Sequence, residues 1–181
     1  MPESTRAIAK RRGYLSISVR ERGKTPRGMK RAFNAASKQA WADTAEHFHD
    51  HMRDARFTPE HGRAAGYAAR KGERQPPGTK AFKRSYYGRK LNSKRGGGIG
   101  IANPLESTGE TRRNVATQYR ISSTSKSARI RYTGARKLNF RHPNSRIRMT
   151  DEFRRLLDSE RIQLASVYDS ALDRYLAAET N

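Results

Sequence analysis

Residues 27–55 read RGMKRAFNAASKQAWADTAEHFHDHMRDA and carry the strongest secondary-structure signal in the chain. Apolar or small residues recur there at steps of three or four, which is the spacing of one helix face. The opposite face changes from lysine and arginine to glutamate, aspartate and histidine. The stretch therefore predicts a long amphipathic helix. Its stripe consists of Met29, Phe33, Ala36, Ala40, Thr44, Phe48 and Met52, with Trp41 beside it.

Shorter stretches alternate with a period of two, as half-buried strands do. In residues 14–19 the aliphatic side chains share one face. Residues 115–122 and 127–133 predict two further strands, joined by a serine-rich turn. Along the last of these strands, Arg129 and Arg131 alternate with uncharged residues.

A second helix is predicted from Thr150 to about Ala178, because apolar residues again recur at helical spacing. Asp151 and Glu152 are favourably placed in its positive first turn. The predicted fold class is α+β, with a long N-terminal helix and a C-terminal helix packed on a small antiparallel sheet. The apolar stripe of this helix consists of Phe153, Leu157, Leu164, Val167, Ala171 and Tyr175.

The chain of 181 residues has the length of one domain. Residues 1–13 are basic and offer little to bury, so they predict a flexible arm. Residues 14–178 predict a single α+β domain with an extended basic loop at about 72–103, punctuated by proline and glycine. We expect this loop and residues 134–148 to be mobile in the free subunit, because their apolar content is low.

The formal net charge is +22, from 39 lysines and arginines against 17 acidic residues. Copies of so cationic a chain repel one another unless nucleic acid or acidic protein surfaces offset the charge. Composition leaves both kinds of partner open. The absence of cysteine excludes disulfides and thiolate chemistry. We expect no membrane span and no secretory signal, because long apolar stretches are missing.

Two stretches invite a catalytic or ligand-binding interpretation. His47 and His51 lie one helical turn apart and could share a metal, as in a metal-dependent nuclease, but the helix supplies few further ligands. Residues 96–100 are glycine-rich, yet the lysine and hydroxyl of a phosphate-binding loop do not follow them. No nucleophile, base and orienting residue stand out together. We therefore expect a protein without enzymatic activity, metal or cofactor.

Residues 80–95 interleave aromatic and basic side chains. Such a segment can stack bases and neutralise phosphates. Alternatively, it can dock on a neighbouring protein, with aromatic anchors inside a rim of cations. We prefer docking, because no nucleic-acid-binding module is recognisable. The aromatic members are Phe82, Tyr86 and Tyr87, and the candidate interface residues are Lys83, Arg84, Tyr86, Tyr87, Arg89 and Lys90.

Four short motifs follow one another: RFTPE at 56–60, AGYAAR at 65–70, YYGRKL at 86–91 and PLESTGETR at 104–112. In this order, within residues 27–133, they resemble the phage virion-morphogenesis and head–tail joining (tail-completion) proteins. Their expected roles are structural: Leu105 fills the core, Pro104 fixes the entry angle and Gly109 adopts a left-handed turn. The motif residues are Phe57, Thr58, Gly66, Tyr67, Arg70, Pro104, Leu105 and Gly109.

The resemblance implies a non-enzymatic structural protein of a tailed bacteriophage virion, assembled in the host cytoplasm. It would form a hexamer or dodecamer ring at the head–tail junction, in a neck, tail-completion or tail-terminator role. The implied partners are portal or adaptor or tail-tube proteins, with possible contact to packaged DNA and none to a membrane. The alternative is a basic nucleic-acid-binding protein that uses the 80–95 loop and the basic arms.

Overall fold

The computed structural model describes residues 5–8, 17–20, 25–92, 104–105, 109–139 and 147–180. Within these ranges the chain is mostly helical and contains two antiparallel hairpins, which confirms the α+β class. The helices are α1 (Pro26–His47), α2 (Pro59–Ala64), α3 (Lys80–Arg84), α4 (Tyr86–Leu91), α5 (Glu110–Thr117), α6 (Met149–Arg154) and α7 (Asp158–Thr180). The strands are β1 (Thr5–Ile8), β2 (Ile17–Arg20), β3 (Tyr119–Ser123) and β4 (Ala128–Tyr132).

The N-terminal part differs from the sequence prediction. Strand β1 lies within the segment predicted as a flexible arm, and it pairs antiparallel with β2. Of the strand predicted at 14–19, residues 17–19 lie in β2 (Ile17–Arg20), and the others are outside the described residues. Residues 1–4, 9–16 and 21–24 lie outside the described residues.

Helix α1 begins after Thr25, whose hydroxyl accepts a hydrogen bond from Gly28 N at 3.2 Å. The helical backbone continues beyond His47 as a π turn (Phe48–Met52) and a 3-10 turn (Asp54–Phe57). The predicted extent to about residue 55 is therefore right, although the winding changes. A π turn is wider than an α turn and shifts the following side chains around the helix axis.

The stripe on α1 is buried only from its middle onward. Ala36 and Ala40 are almost fully buried, and Met52 is buried in the π turn. Met29 and Phe33, by contrast, are 61% and 46% exposed. The first turns of α1 therefore carry apolar side chains that the described residues leave exposed.

Helix α7 packs along α1. The ring of Tyr168 lies against Trp41 with centroids 4.5 Å apart, and its hydroxyl is 2.8 Å from Ser37 Oγ. The predicted single C-terminal helix is interrupted between α6 and α7, where the Leu157 backbone N–H bonds to the Glu160 carboxylate at 2.8 Å. Glu160 thus caps α7, so the chain turns before the helix begins.

Strands β3 and β4 form the predicted hairpin, and one face of it packs on α1. The first strand of this hairpin was predicted to start at residue 115, which is wrong, because residues 110–117 form α5. Gly109 precedes this helix with φ 77°, a left-handed conformation that glycine adopts readily. Helix α5 directs Val115, which is fully buried, into the core.

The main core gathers side chains from distant parts of the chain. Tyr67, Tyr132 and Met149 pack at its margin. No helix in the described ranges is both long and apolar enough to cross a membrane. The core consists of Phe57, Leu105, Val115, Ala135, Leu138 and Phe153.

Candidate functional site

The segment predicted as an extended loop contains two short helices, α3 and α4, here called the basic helical unit. Thr79 caps α3 by accepting from Phe82 N at 3.1 Å. Ser85 caps α4 by accepting from Gly88 N at 3.0 Å. The prediction of an extended loop is therefore wrong for residues 80–91, because two capping hydroxyls six residues apart each start a helical turn. Residues 93–103 lie outside the described residues.

The basic helical unit is closely packed. A Cβ added to Gly88 would overlap the backbone oxygen of Phe82, and one added to Gly72 would overlap the Ser85 side chain. The backbone N–H of Tyr87 also bonds to the carbonyl of Lys71 at 3.2 Å. Glycine at these two positions permits a backbone approach that a larger residue would prevent.

The three aromatic residues of this unit have different roles. Phe82 is 5% exposed and forms its small core. Tyr87 is half-buried, with its ring edge-on to Phe82 at 6.2 Å, and burial raises the pKa of Tyr87. Tyr86, 45% exposed, is the aromatic side chain available for contact. The exposed cations of the unit are Lys80, Lys83, Arg84 and Arg89, whereas Lys90 is half-buried.

A cavity of about 130 Å³ separates this unit from α2. Tyr67 lines it, and the Tyr67 hydroxyl is buried with no hydrogen-bond partner among the described residues. Burial raises the pKa of Tyr67 to about 12. The volume is well below the ~300–1,000 Å³ of sites that hold organic ligands. Besides Tyr67, the lining includes Pro59, Arg63, Arg70, Tyr87, Lys90 and Pro104.

Several motif residues of the sequence meet around α2. Thr58 caps this helix by accepting from His61 N at 3.3 Å. Gly66 follows it with φ 64°. Pro104 lies close to Gly62, where a Cβ would be 3.4 Å from the proline ring. These positions shape the backbone and present no reactive group.

Three further motif residues, Phe57, Leu105 and Arg70, anchor the chain in the interior. Phe57 is fully buried and tilts against Phe153 in the core. Leu105 is buried beside them although its φ is 58°, a conformation uncommon for a residue other than glycine. Arg70 forms a two-pronged ion pair with the buried Glu152, with N–O distances of 2.9 and 2.7 Å.

The histidines after α1 fall into two environments. His47 and His51 lie together, with ring centroids 4.5 Å apart, and burial together with the charge of His51 lowers the pKa of His47. His49 points the other way and stacks on Tyr119 at 3.5 Å. Arg53 lies 2.7 Å from Nε2 of His49, where its guanidinium N–H donates. In the part of the chain that the structure describes, no three His, Asp or Glu side chains are grouped to hold a metal ion.

A buried ionic cluster joins the end of the α1 extension to α7. The fully buried Arg56 donates to both carboxylate oxygens of Glu160, with Nη2 to Oε2 at 2.9 Å. His61 lies 3.6 Å from the same carboxylate. Burial opposes ionisation of Glu160, but bonds from Arg56 and the Leu157 N–H outweigh it and lower its pKa. The pKa of His61 is lowered by burial and by Arg56.

Arg129 and Arg131 lie on one side of a predicted strand, and the sequence pattern indicates no function for them. In the hairpin register Arg120 stands directly opposite Arg131, and Ser122 opposite Arg129. All four side chains are exposed. We call this surface the arginine face. The alternation of residues along the last strand indicates that Arg129 and Arg131 share a face. That Arg120 lies on the same face follows only from the pairing register of the two strands.

Comparison of this chain with protein-family models, with curated proteins and with solved structures finds no match. Three of the four motifs contribute to the main core, through Phe57, Leu105 and, at its margin, Tyr67, whereas the motif at 86–91 lies in the basic helical unit. The exposed surfaces of the described residues include the basic helical unit, the first turns of α1 and the arginine face.

Proposed function

We propose that this chain is a non-enzymatic structural subunit of a tailed-phage virion, and that it forms a ring at the head–tail junction. The observation that carries the proposal is the first part of α1, where Met29 and Phe33 are exposed one helical turn apart. Apolar side chains at this spacing form a stripe suited to a partner surface. A neighbouring copy that covers them would complete the amphipathic pattern of the helix.

The basic helical unit supplies a second contact in this proposal. Tyr86 is exposed on a closely packed support, and exposed cations lie near it in the sequence. Tyrosine and arginine are enriched in protein interfaces, and a rigid support lowers the entropy lost on docking. Tyr86 is therefore the expected anchor, whereas Phe82 and Tyr87 hold the unit together.

The ion pairs in the interior of the protein also support a structural role. The carboxylates of the buried Glu152 and the half-buried Glu160 are each engaged by an arginine, and both pairs link separate parts of the chain. Catalytic acids and bases need a cleft that admits substrate. The cavity beside Tyr67 is too small for this purpose. A second depression of about 630 Å³ is large enough, but no acidic residue or histidine is among its lining residues, which are Ala68, Ala69, Arg70, Gly72, Arg74 and Gln75.

The alternative, base stacking by residues 80–95, is less well supported. Stacking needs several exposed rings along one groove. Within the described part of this segment Phe82 is buried and Tyr87 packs against it. Tyr86 alone would offer one stacking platform.

The test is the mass of the native assembly, measured by native mass spectrometry and light scattering. We expect a hexamer or dodecamer for the unmodified chain and a monomer for Met29→Ser with Phe33→Ser. Tyr86→Ser should weaken the ring in the same direction. The matched control is Ile162→Ser, because Ile162 is 72% exposed but stands alone on α7. If the unmodified chain is a monomer at every soluble concentration, the ring is contradicted. If Ile162→Ser dissociates the assembly as much as Met29→Ser with Phe33→Ser does, the assignment of the interface to the first turns of α1 is contradicted.

A further inference from the structure

The β3–β4 hairpin carries its positive charge on one side only. The opposite side packs on α1 and on the core: Ile121 and Ile130 are half-buried, and Tyr132 lies edge-on to Phe153 at 5.3 Å. The outer side consists of the arginine face, without an aromatic or aliphatic side chain. The hairpin is thus a two-stranded ribbon with one apolar and one cationic side.

Arg120 and Arg131 stand directly opposite each other in the hairpin, and Arg129 lies on the same side. In the part of the chain that the structure describes, Arg120, Arg129 and Arg131 make no ion pair and no side-chain hydrogen bond. Like charges directly opposite in a hairpin destabilise it. A bound polyanion would remove this repulsion.

The hairpin is held in place before any ligand arrives. Ser37 on α1 donates from its hydroxyl to the carbonyl of Ser125 in the turn at 2.8 Å. Within the turn, Thr124 Oγ1 accepts from the Lys126 and Ser127 backbone N–H groups, each at 3.2 Å. His49, stacked under Tyr119, supports the other end. A fixed backbone keeps the cation spacing constant, which favours a regularly charged partner.

We propose that the arginine face binds the phosphodiester backbone of a nucleic acid, independently of base sequence. Guanidinium groups bind phosphate through paired N–H···O bonds, and neutralised phosphates release counterions. An acidic protein surface fits less well, because protein interfaces place apolar or aromatic groups among their arginines and this face has none. The proposal concerns a different surface from that assigned to assembly and does not depend on the ring.

The test measures binding of a short labelled duplex DNA by fluorescence anisotropy over a range of salt concentrations. The variant Arg120→Gln, Arg129→Gln, Arg131→Gln should bind about tenfold more weakly, and the slope of log affinity against log salt should fall by about 0.9 per arginine. Replacing the same residues by lysine should retain most of the slope, because the charge stays. A duplex RNA of the same sequence distinguishes a general phosphodiester site from a DNA site.

The matched control is the variant Lys83→Gln, Arg84→Gln, Arg89→Gln, which removes the same number of charges from the basic helical unit. Its salt slope should stay close to that of the unmodified chain. Equal weakening in both variants would show diffuse attraction to the net charge and overturn the proposal. Unchanged DNA binding in the hairpin variant, with loss of self-assembly, would instead make the face a protein interface. Assembly is measured without nucleic acid, so failure of the ring and failure of this proposal are distinguishable.

Discussion

Glu160→Gln tests the buried ion pair that joins α7 to the end of the α1 extension. Arg56 is fully buried, and its guanidinium bonds to both oxygens of Glu160. Glutamine preserves the shape but removes the charge and one acceptor, so a buried cation is left without its counter-charge. Loss of one partner of such a pair costs about 3–5 kcal/mol. That is a large share of the ~5–15 kcal/mol that stabilises a typical domain.

The free energy of unfolding is measured by urea titration, and the midpoint of thermal unfolding by circular dichroism. For a chain of this size 1 kcal/mol corresponds to roughly 2–4 °C, so the midpoint should fall by roughly 6–20 °C. Glu60→Gln is the control, because Glu60 pairs with Arg63 while both side chains are 74% exposed. Exposed pairs contribute little, and the midpoint should move by about 2 °C or less.

A double replacement separates the loss of the pair from the cost of an unpaired charge. Arg56→Met with Glu160→Leu removes both charges, and methionine can keep part of the packing that Arg56 makes over Phe48. We expect this variant to be clearly more stable than Glu160→Gln, because apolar replacements of buried pairs are often close to neutral. If Glu160→Gln behaved like Glu60→Gln, the reasoning about burial would be refuted.

Three further predictions concern the unit packing, the pH dependence and the strained core residue. Gly88→Ala should abolish hydrogen-exchange protection in residues 80–91 and leave the rest unchanged, because the added methyl group overlaps a backbone oxygen. Burial lowers the pKa of His49 and His61 in the folded state. The stability that depends on their neutral forms should therefore be fully present above pH 6.5 and be lost as the pH falls through their folded-state pKa values. A urea midpoint that stays constant between pH 7.5 and 5 would contradict this. Leu105→Gly should be no less stable than Leu105→Ala in urea, the reverse of the usual order, because the φ of 58° suits glycine.

Periodicity predicted the helix and hairpin elements because it reports which side chains share a face. It could not predict what covers that face. Ala36 and Met29 belong to the same stripe on α1, yet the first is buried and the second exposed. Both obey the same spacing, so only the position of α7 and the hairpin distinguishes them.

Helical signals were missed where the flanking sequence is rich in proline and glycine. Residues 80–91 were predicted to be extended for that reason, but Thr79 and Ser85 start helices and Phe82 provides a small core. Leu105 lies in the core as expected, and Gly109 is left-handed as expected, although it leads into α5 and not directly into the sheet. These details depend on contacts between residues far apart in the chain, which no local pattern contains.

The acidic residues explain why so much positive charge remains at the surface. Most of those in the described ranges are engaged in specific pairs, such as Glu152 with Arg70 and Asp43 with Arg174. Other cations, among them Arg120, Arg129 and Arg131, make no ion pair with a described residue, and copies of the chain therefore repel one another. The arginine face and the basic helical unit lie on different elements, so both could be occupied together. A nucleic acid on the arginine face would lower the net charge, and the ring should then form at lower protein concentration when nucleic acid is present.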